Sequence, residues 1–264
     1  MSDNKSPGPD GITPKLLKTC IGTISPVLSN FFNMSLRFGS LPSMWKRANI
    51  TPVFKSGDPS CISNYRPIAL TSIFCKIMES LVAEKIRTHL KDNMLLSPEQ
   101  HGFVKGRSCV TQLLNVTSTW LNILDKPLAP KIDAVFLDFA KAFDVMPHDI
   151  LLDKLAYQYN ISGNIWQWLR SFITGRQQKV LFKGSYSTWF PVLSGVPQGS
   201  VLGPPLFDVF INDLPHLTDS TTLLFADDTL LFRSINSRTD EVIIQDDLNR
   251  INNMVSTQQN ESKY

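Results

Sequence analysis

The chain has 264 residues, of which 42% are hydrophobic and 19% charged, and its net charge is +3. This composition is typical of a folded protein with one large or two small domains and excludes a disordered chain. It has no apolar run near the ~20 residues that span a bilayer, no signal peptide, and four cysteines without C-x-x-C spacing. We therefore expect an intracellular protein, nuclear or cytoplasmic, without membrane contact, zinc site or disulfide framework.

Charge is unevenly spread along the chain. Residues 37–107 carry eleven Lys/Arg against five Asp/Glu, whereas residues 131–264 carry eleven against fifteen. A basic first half and an acidic second half suit a bound polyanion and bound metal cations. An uneven scatter of solvated surface charge explains this pattern equally well.

In the basic half, hydrophobic periodicity predicts two helices. The stretch "TSIFCKIMESLVAEKIRTHL" has apolar residues at helical spacing. A second helix is predicted from about Val110 to Leu124. Its predicted buried side consists of Leu113, Leu114, Thr117, Trp120, Leu121 and Leu124. The break "DKPLAPKID" follows and separates the two halves.

The acidic half mixes strands and helices, which indicates the α+β class. "DAVFLDFA" is apolar on both faces and predicts a central strand, and "PHDILLDKLAYQY" predicts a helix. "QQKVLF" and "STWFPVL" predict short strands, and the glycine-rich "GVPQGSVLGP" leads into a predicted helix, "LFDVFIND". "TLLFA" and "TLLFR" predict a hairpin with Asp227 and Asp228 at its two turn positions.

Three carboxylates have an environment that needs an explanation. The pair Asp227–Asp228 alone is typical of a surface turn, but Asp138 lies within an apolar strand, where a charge is costly. If the three meet within ~4 Å, each pair repels by about 4 kcal/mol at an effective dielectric near 20. The total of about 12 kcal/mol rivals the ~5–15 kcal/mol stability of a domain. Mg²⁺ ions would offset it and would support two-metal phosphoryl or nucleotidyl transfer.

Six motifs carry a resemblance to a known family. "FLDFAKAFDVMPH", "GVPQGSVLGP" and "LLFADDTLLF", in that order, resemble the palm motifs of reverse transcriptases encoded by non-LTR, LINE-type retrotransposons of the CR1/jockey type. "SPGPDGI", "PVFKSGDPSCISNYRPIAL" and "LLSPEQHGFVKGRSC" match that family's upstream fingers motifs. The resemblance covers residues 5–250.

This resemblance implies a right-hand polymerase with fingers and an antiparallel palm sheet backed by helices. Residues 1–130 would be fingers-like, 131–250 the catalytic palm, and 251–264 a disordered tail, with the thumb missing. The implied activity is RNA-directed DNA polymerisation, in which dNTPs are added to a primer 3′-hydroxyl by two-metal nucleotidyl transfer. An RNA template, a DNA primer and dNTP are the implied partners.

The resemblance also implies the catalytic residues. Asp138 and Asp227 would hold two Mg²⁺ ions, for which Mn²⁺ substitutes, with the backbone carbonyl of Phe139 as a further ligand and Asp228 completing the acidic cluster.

Seven other positions match the family's substrate contacts. They are Phe143 under the incoming sugar; Lys55 and Arg66 on the triphosphate; Gln198 and Gly199 beside the nascent base pair; and Lys105 and Arg107 on the template phosphates. Arginine offers a bidentate fork and lysine a point charge to phosphate.

Departures from the family pattern leave an alternative open. Pro205 and Asp208 stand where the family has apolar helix residues, and the last residues lack the family's Trp-containing helix. The alternative is a truncated, inactive retrotransposon remnant with residual RNA binding. A palm-fold cyclase or other nucleotidyl transferase is disfavoured, because it would not need the template-side fingers motifs.

Overall fold

A computed structural model describes residues 6–127 and 130–261 of the chain. The chain forms two compact units, each built from two stretches of sequence. Unit 1 comprises residues 1–87 and 148–203, and unit 2 comprises residues 88–147 and 204–264. This division differs from the expected boundary near residue 130, because each half of the sequence contributes to both units. The charge follows the units: unit 1 carries 16 Lys/Arg against 7 Asp/Glu, and unit 2 carries 10 against 16.

Helices and strands are interleaved along the chain. The helices are α1 (Pro14–Thr19), α2 (Ile21–Arg37), α3 (Ile73–Asp92), α4 (Cys109–Leu124), α5 (Ala142–Val145), α6 (His148–Asp153), α7 (Gly163–Ile173), α8 (Gly203–Ile211) and α9 (Arg238–Glu261). The strands are β1 (Arg47–Phe54), β2 (Tyr65–Thr71), β3 (Lys131–Asp138), β4 (Arg176–Phe182), β5 (Ser185–Tyr186), β6 (Phe190–Val192), β7 (Thr221–Phe225) and β8 (Asp228–Ile235). Within the described residues, no helix is both long and apolar enough to cross a membrane.

Unit 1 contains a mixed sheet in the order β2-β1-β4-β5, with β6 also pairing β4. β1 and β2 are antiparallel, and their register places Val53 opposite Arg66. β1 and β4 are parallel, with Arg47 beside Gln177. One face of this sheet is buried through Ala48, Ile50 and Ala69, so the odd-numbered residues of β1 lie on the other face.

Unit 2 contains a three-stranded antiparallel sheet in the order β3-β8-β7. Its core joins Leu223, Leu230 and Phe232 of the sheet to Val116 of α4. The ring of Trp120 packs edge-on against Phe232 with centroids 5.7 Å apart. Helix α4 therefore covers one face of this sheet.

The expected central position of β3 is wrong, because β3 is an edge strand. None of its residues is buried, since five are exposed and three are half-buried, and Asp138 is an exposed residue at its end. The apolar sequence of β3 predicted burial, and a phenylalanine such as Phe136 is typical of a core. In the structure, however, Phe136 is 76% exposed. The repulsion calculated for buried carboxylates consequently falls, since water screens exposed charges.

Helix α4 has the expected bounds but a different buried side. A capping box of Ser108 and Thr111 begins it. Val116, Trp120 and Ile123 face the core, whereas Leu113, Leu114, Leu121 and Leu124 are between 46% and 65% exposed. The apolar residues span about half of the helix circumference at 100° per residue, which is wider than the face the sheet covers, so periodicity alone did not identify that face.

The C-terminal segment and α8 also differ from expectation. Residues 251–261 continue α9 and are not an irregular tail, while residues 262–264 lie outside the described residues. Pro205 lies in the first turn of α8, where backbone N–H groups have no partner within the helix, so it is tolerated there. Asp208 is only 3% exposed.

Candidate active site

The acidic cluster lies at one end of the unit 2 sheet. The antiparallel register of β3 and β8 places Asp138 directly opposite Asp228, so their Cα atoms are about 4.5–5.5 Å apart. The two-residue turn between β7 and β8 is formed by Ala226 and Asp227, which corrects the expectation that both aspartates occupy the turn. Asp228 is the first residue of β8, and Asp227 precedes it. The structure therefore places Asp138 and Asp228 side by side at the end of the sheet, with Asp227 next to Asp228 in the turn.

A metal ion at these carboxylates would need further ligands to complete its coordination. Asp138 and Asp228 are exposed and Asp227 is half-buried. Among the described residues, no group of three or more His, Cys, Asp or Glu side chains is arranged to hold a metal ion. Mg²⁺ commonly binds through one or two carboxylates, with substrate phosphates and water completing its octahedron. The pair across β3 and β8 suits an ion whose coordination the substrate completes.

The backbone carbonyl of Phe139 has one hydrogen bond of its own. It accepts a hydrogen bond from the Ala142 N–H at 3.2 Å, at the start of α5. A carbonyl oxygen has two lone pairs, so this contact leaves one acceptor position for a ligand.

Gln100 holds the turn that carries the acidic residues. It is fully buried, and its Oε1 accepts hydrogen bonds from the N–H of Gly102 at 2.7 Å and of Ala226 at 3.2 Å. Ala226 has a φ of +56°, a left-handed backbone conformation that residues other than glycine rarely adopt without support. Gln100 therefore stabilises a strained residue directly before Asp227.

The backbone around Gln100 also braces the hairpin. The N–H of His101 donates to Leu224 O at 2.8 Å, and the N–H of Leu224 donates to Glu99 O at 3.0 Å. A Cβ atom on Gly102 would lie 2.2 Å from the N atom of Ala226. Only glycine permits this approach, so the motif "EQHG" fixes the hairpin through backbone contacts.

Arg107 and Lys105 are in different environments. The guanidinium of Arg107 donates to the carbonyl of Pro98 at 2.6 Å and to that of Gln100, so it supports the brace in this structure. Lys105 is exposed.

Phe143 is held by other aromatic rings of unit 2. Its ring stacks on Phe207 with centroids 4.5 Å apart and an interplanar angle of 27°. Phe103 meets the same ring edge-on at 6.4 Å. Stacked and edge-on pairs contribute about 0.5–1.5 kcal/mol each beyond burial. The half-buried Phe143 ring is thus well positioned.

In unit 1, the β2 strand brings several of the expected substrate contacts together. The N–H of Ala69 donates to Gln198 O at 2.9 Å, so the "VPQGS" loop lies along β2. Arg66 is three residues away on the same strand, about 10 Å along it. Gly199 has a φ of +95°, which favours glycine. Lys55 continues the β1–β2 pairing, because its N–H donates to Asn64 O at 2.9 Å.

A buried carboxylate anchors the end of this loop. Glu79 of α3 is fully buried, and its Oε2 accepts hydrogen bonds from the N–H of Val201 at 2.7 Å and of Leu202 at 3.3 Å. The Oγ of Ser200 accepts from Leu202 and Gly203 at the start of α8. Together they satisfy N–H groups that a helix start leaves without partners.

His148 ties down the beginning of the same loop. Its Nε2 donates a hydrogen bond to the carbonyl of Gly195 at 2.8 Å. Burial lowers the pKa of His148 from its ordinary 6.5, against the opposing effects of the Gly195 hydrogen bond and Asp149. The folded chain therefore resists protonation of this imidazole.

We expect the folded chain to lose stability as the pH falls below about 6.5, because the unfolded chain then binds a proton that folded His148 resists. His148→Gln retains an N–H donor for Gly195 but cannot titrate. Its free energy of unfolding should therefore decrease less between about pH 8 and pH 5. Denaturant titrations of both proteins at the two pH values measure this difference. Parallel pH profiles would contradict the assignment.

Sequence reasoning missed Gln100, Glu79 and His148. Glu79 resembled an ordinary polar residue of an amphipathic helix, and its hydrogen-bond partners lie 122 and 123 residues away. Gln100 stood within a recognised motif, but its partner Ala226 is 126 residues distant. No local pattern identifies such contacts.

Comparison with protein families confirms the resemblance. Residues 53–263 match the family model described as reverse transcriptase (RNA-dependent DNA polymerase). The chain is 34% identical over 241 residues to the probable RNA-directed DNA polymerase from transposon BS of Drosophila melanogaster, which covers 88% of this chain and 26% of that protein. It is 31% identical over 244 residues to the RNA-directed DNA polymerase from the mobile element jockey of the same fly, with the same coverages. The chain thus spans about a quarter of the length of these relatives.

Solved structures share the fold. The apo telomerase of Candida tropicalis, truncated from its C-terminal domain, superposes with a TM-score of 0.56 at 14% identity, over 86% of this chain and 51% of that one. The telomerase of Candida albicans in complex with a telomeric RNA fragment gives a TM-score of 0.57 at 14% identity, over 76% and 39%. These likenesses agree with the α+β fingers-and-palm architecture expected from the motifs. The chain belongs to the reverse transcriptase (RNA-dependent DNA polymerase) family.

Proposed function

We propose that this chain is the catalytic part of an RNA-directed DNA polymerase that adds dNTPs to a primer 3′-hydroxyl on an RNA template. The observation that carries the proposal is the convergence of Asp138 and Asp228 across β3 and β8, with Asp227 in the adjoining turn. The names of the Drosophila relatives, RNA-directed DNA polymerases, agree with this activity.

The acidic cluster would hold the divalent cations of the reaction. Asp138, Asp227 and Asp228 supply hard oxygen ligands, and the carbonyl of Phe139 has a free lone pair for another contact. Two bound Mg²⁺ ions, or Mn²⁺ in their place, would lower the pKa of the primer hydroxyl and stabilise negative charge on the α-phosphate. The protein's part is to fix these oxygens at the end of a rigid sheet, where a substrate can complete the coordination.

Unit 1 would bind the nucleotide. The side chains of Lys55 and Arg66 extend from the β1–β2 pair, where they would neutralise the triphosphate. Gln198 offers an amide and Gly199 an unobstructed backbone beside β2, which suits contact with the nascent base pair. Lys105 of unit 2 would contact the template phosphates, and Arg107 would do so only by leaving the carbonyls that it now contacts.

Phe143 would exclude the 2′-hydroxyl of a ribonucleotide, because stacking on Phe207 prevents its ring from moving aside. We expect Phe143→Ala to raise rNTP incorporation relative to dNTP by about tenfold or more, the scale of a steric contact. Primer extension with each nucleotide class measures the ratio. Phe103→Ala removes the edge-on neighbour and should leave the ratio unchanged; unchanged discrimination in Phe143→Ala would refute this role.

Extension of a DNA primer on an RNA template tests the proposed function directly. With Mg²⁺ or Mn²⁺, the wild-type chain should incorporate dNTPs and Asp227→Ala should not. Equal signals from the two proteins would overturn the catalytic assignment. An inactive wild type that still binds the primed template would instead support the alternative, a truncated retrotransposon remnant with residual RNA binding.

A further inference from the structure

One face of the unit 1 sheet brings cationic and aromatic side chains together; Arg47 and Tyr186 are exposed, and Lys179 and Trp189 are half-buried. The Lys179 Nζ lies 3.9 Å from the ring centre of Tyr186 and 4.8 Å from that of Trp189. The Arg47 Cζ lies 5.3 Å from the same Trp189 ring. We call these four residues, Arg47, Trp189, Lys179 and Tyr186, the cation–aromatic ladder.

The ladder is built by the register of the sheet. Arg47 begins β1 and is the parallel neighbour of Gln177, whose Oε1 accepts a hydrogen bond from Arg47 Nε at 3.3 Å. Lys179 is two residues further along β4, on the same face and about 7 Å away. Tyr186 pairs across from Leu181 and is 55% exposed. Three of the four ladder residues thus lie in strands of the sheet, and Trp189 directly precedes β6.

The two stretches of sequence that form the ladder contain no acidic residue. Residues 11–57, which include β1, contain six Lys/Arg and no Asp or Glu. Residues 154–203, which include β4, β5 and β6, contain five Lys/Arg and again no acid. The ladder cations therefore have no carboxylate within their own segments, and the sheet presents a positive surface to a polyanion.

This combination selects one class of ligand. Phosphodiester groups seek cations, while unpaired bases stack on aromatic and guanidinium planes. A duplex would offer phosphates but no free base faces. We propose that the cation–aromatic ladder binds single-stranded nucleic acid, and that its occupant is the RNA template strand.

The inference rests on the proposed function for the identity of the strand. Arg66 lies on the same face of the sheet, because it pairs with Val53 of β1. Six residues separate Val53 from Arg47, a distance of about 20 Å along the strand. The ladder would hold the strand several nucleotides from the residue proposed to bind the triphosphate.

Charge removal gives the first test. Arg47→Gln with Lys179→Gln should weaken binding of a fluorescent single-stranded RNA 15-mer about tenfold or more, measured by anisotropy without dNTP. The slope of log affinity against log salt should shrink by about 1.4 for two lost phosphate contacts. Lys15→Gln with Lys85→Gln removes the same charge from exposed sites of α1 and α3 and should change the affinity less than about twofold.

Ring removal gives the second test. Tyr186→Leu should weaken RNA binding about fivefold or more while leaving the salt slope unchanged, because it removes stacking but no charge. A single-stranded DNA of the same sequence should respond like the RNA, since neither rings nor cations read the 2′-hydroxyl. Wild-type chain irradiated with 4-thiouridine RNA should crosslink within the Tyr186–Trp189 segment, which tests the site without a substitution.

Three results would overturn the proposal. They are an RNA affinity that the ladder variants leave within twofold of wild type, an equal loss in the Lys15/Lys85 control, or crosslinks that avoid the Tyr186–Trp189 segment. The outcome is separate from that of the polymerase assay. If the chain extends primers but the ladder substitutions do not change its RNA affinity, only the ladder is refuted. If the chain is inactive but binds RNA through the ladder, the polymerase and the template assignment are refuted, and the ladder stands as a single-strand binding site.

Discussion

Asp138→Asn is expected to abolish primer extension while making the metal-free chain more stable. Asp138 lies directly opposite Asp228, and like charges at opposed positions of an antiparallel pair destabilise it, by about 0.2–1 kcal/mol. Removing one charge relieves this repulsion. The same change removes a ligand for the cations, and a loss of about 4 kcal/mol of charge stabilisation lowers the rate about 10³-fold.

The matched control for this experiment lies on the same strand. Asp133 of β3 is exposed and stands opposite Arg233 of β8, a pair of opposite charge. Asp133→Asn makes the identical chemical change five residues from Asp138 and should preserve activity without raising the melting temperature. Thermal unfolding without metal and dNTP incorporation with metal are measured for both variants. An active Asp138→Asn, or one that melts no higher than wild type, would show that the carboxylate pair is not the centre of the site.

Local sequence predicted the strands of the candidate site better than the turn and the tertiary contacts that hold it. The apolar runs "TLLFA" and "TLLFR" on either side of the aspartates correctly predicted β7 and β8 as a hairpin, and both strands are buried over three or four consecutive residues. The turn residues were predicted wrongly, because Ala226 takes the left-handed position that the sequence analysis assigned to an aspartate. Ala226 holds that conformation through the Gln100 side chain, which is remote in sequence.

Strand β3 shows why burial was harder to predict. Whether an apolar strand is central or at an edge depends on which strands lie on either side, and β3 pairs only β8 within the described residues. Phe136 is apolar but 76% exposed, so its sequence context was misleading. The resemblance to reverse transcriptases does not depend on this burial, because it predicts a role for Asp138 from the motif alone.

The division into two units could not be predicted from local sequence patterns either. The chain leaves unit 1 within α3 and returns at His148, then leaves again at the start of α8. Neither helix shows a compositional break at the crossing, since a continuous helix needs none. The charge asymmetry was visible in the sequence, but it is larger when the charges are counted by unit. The cation–aromatic ladder of unit 1 could not be predicted, because its residues come together only through the pairing of the strands.

Gln100→Met should reduce primer extension by about 100-fold, although Gln100 makes none of the proposed contacts with substrate. Methionine has a similar length and volume but offers no strong acceptor to the N–H groups of Gly102 and Ala226. Without this support Ala226 should leave its left-handed conformation, and Asp227 would move with it. A displacement of about 1 Å in a positioned catalytic group costs on the order of 10²-fold in rate. Hydrogen exchange should accelerate at the Ala226 amide, and Mn²⁺ should bind more weakly.

Asn212→Leu separates this positioning role from a general loss of stability. Asn212 is also buried, and its side chain accepts from the Ser97 N–H at 2.7 Å and donates to Leu95 O at 2.9 Å. Both substitutions leave buried backbone groups without partners, at a cost of about 1–3 kcal/mol for each group. The two variants should therefore unfold at lower denaturant than wild type, but only Gln100→Met should lose Mn²⁺ affinity and Ala226 protection. If Asn212→Leu lost both as well, the Gln100 contact would be a matter of fold stability and not of the geometry of the acidic turn.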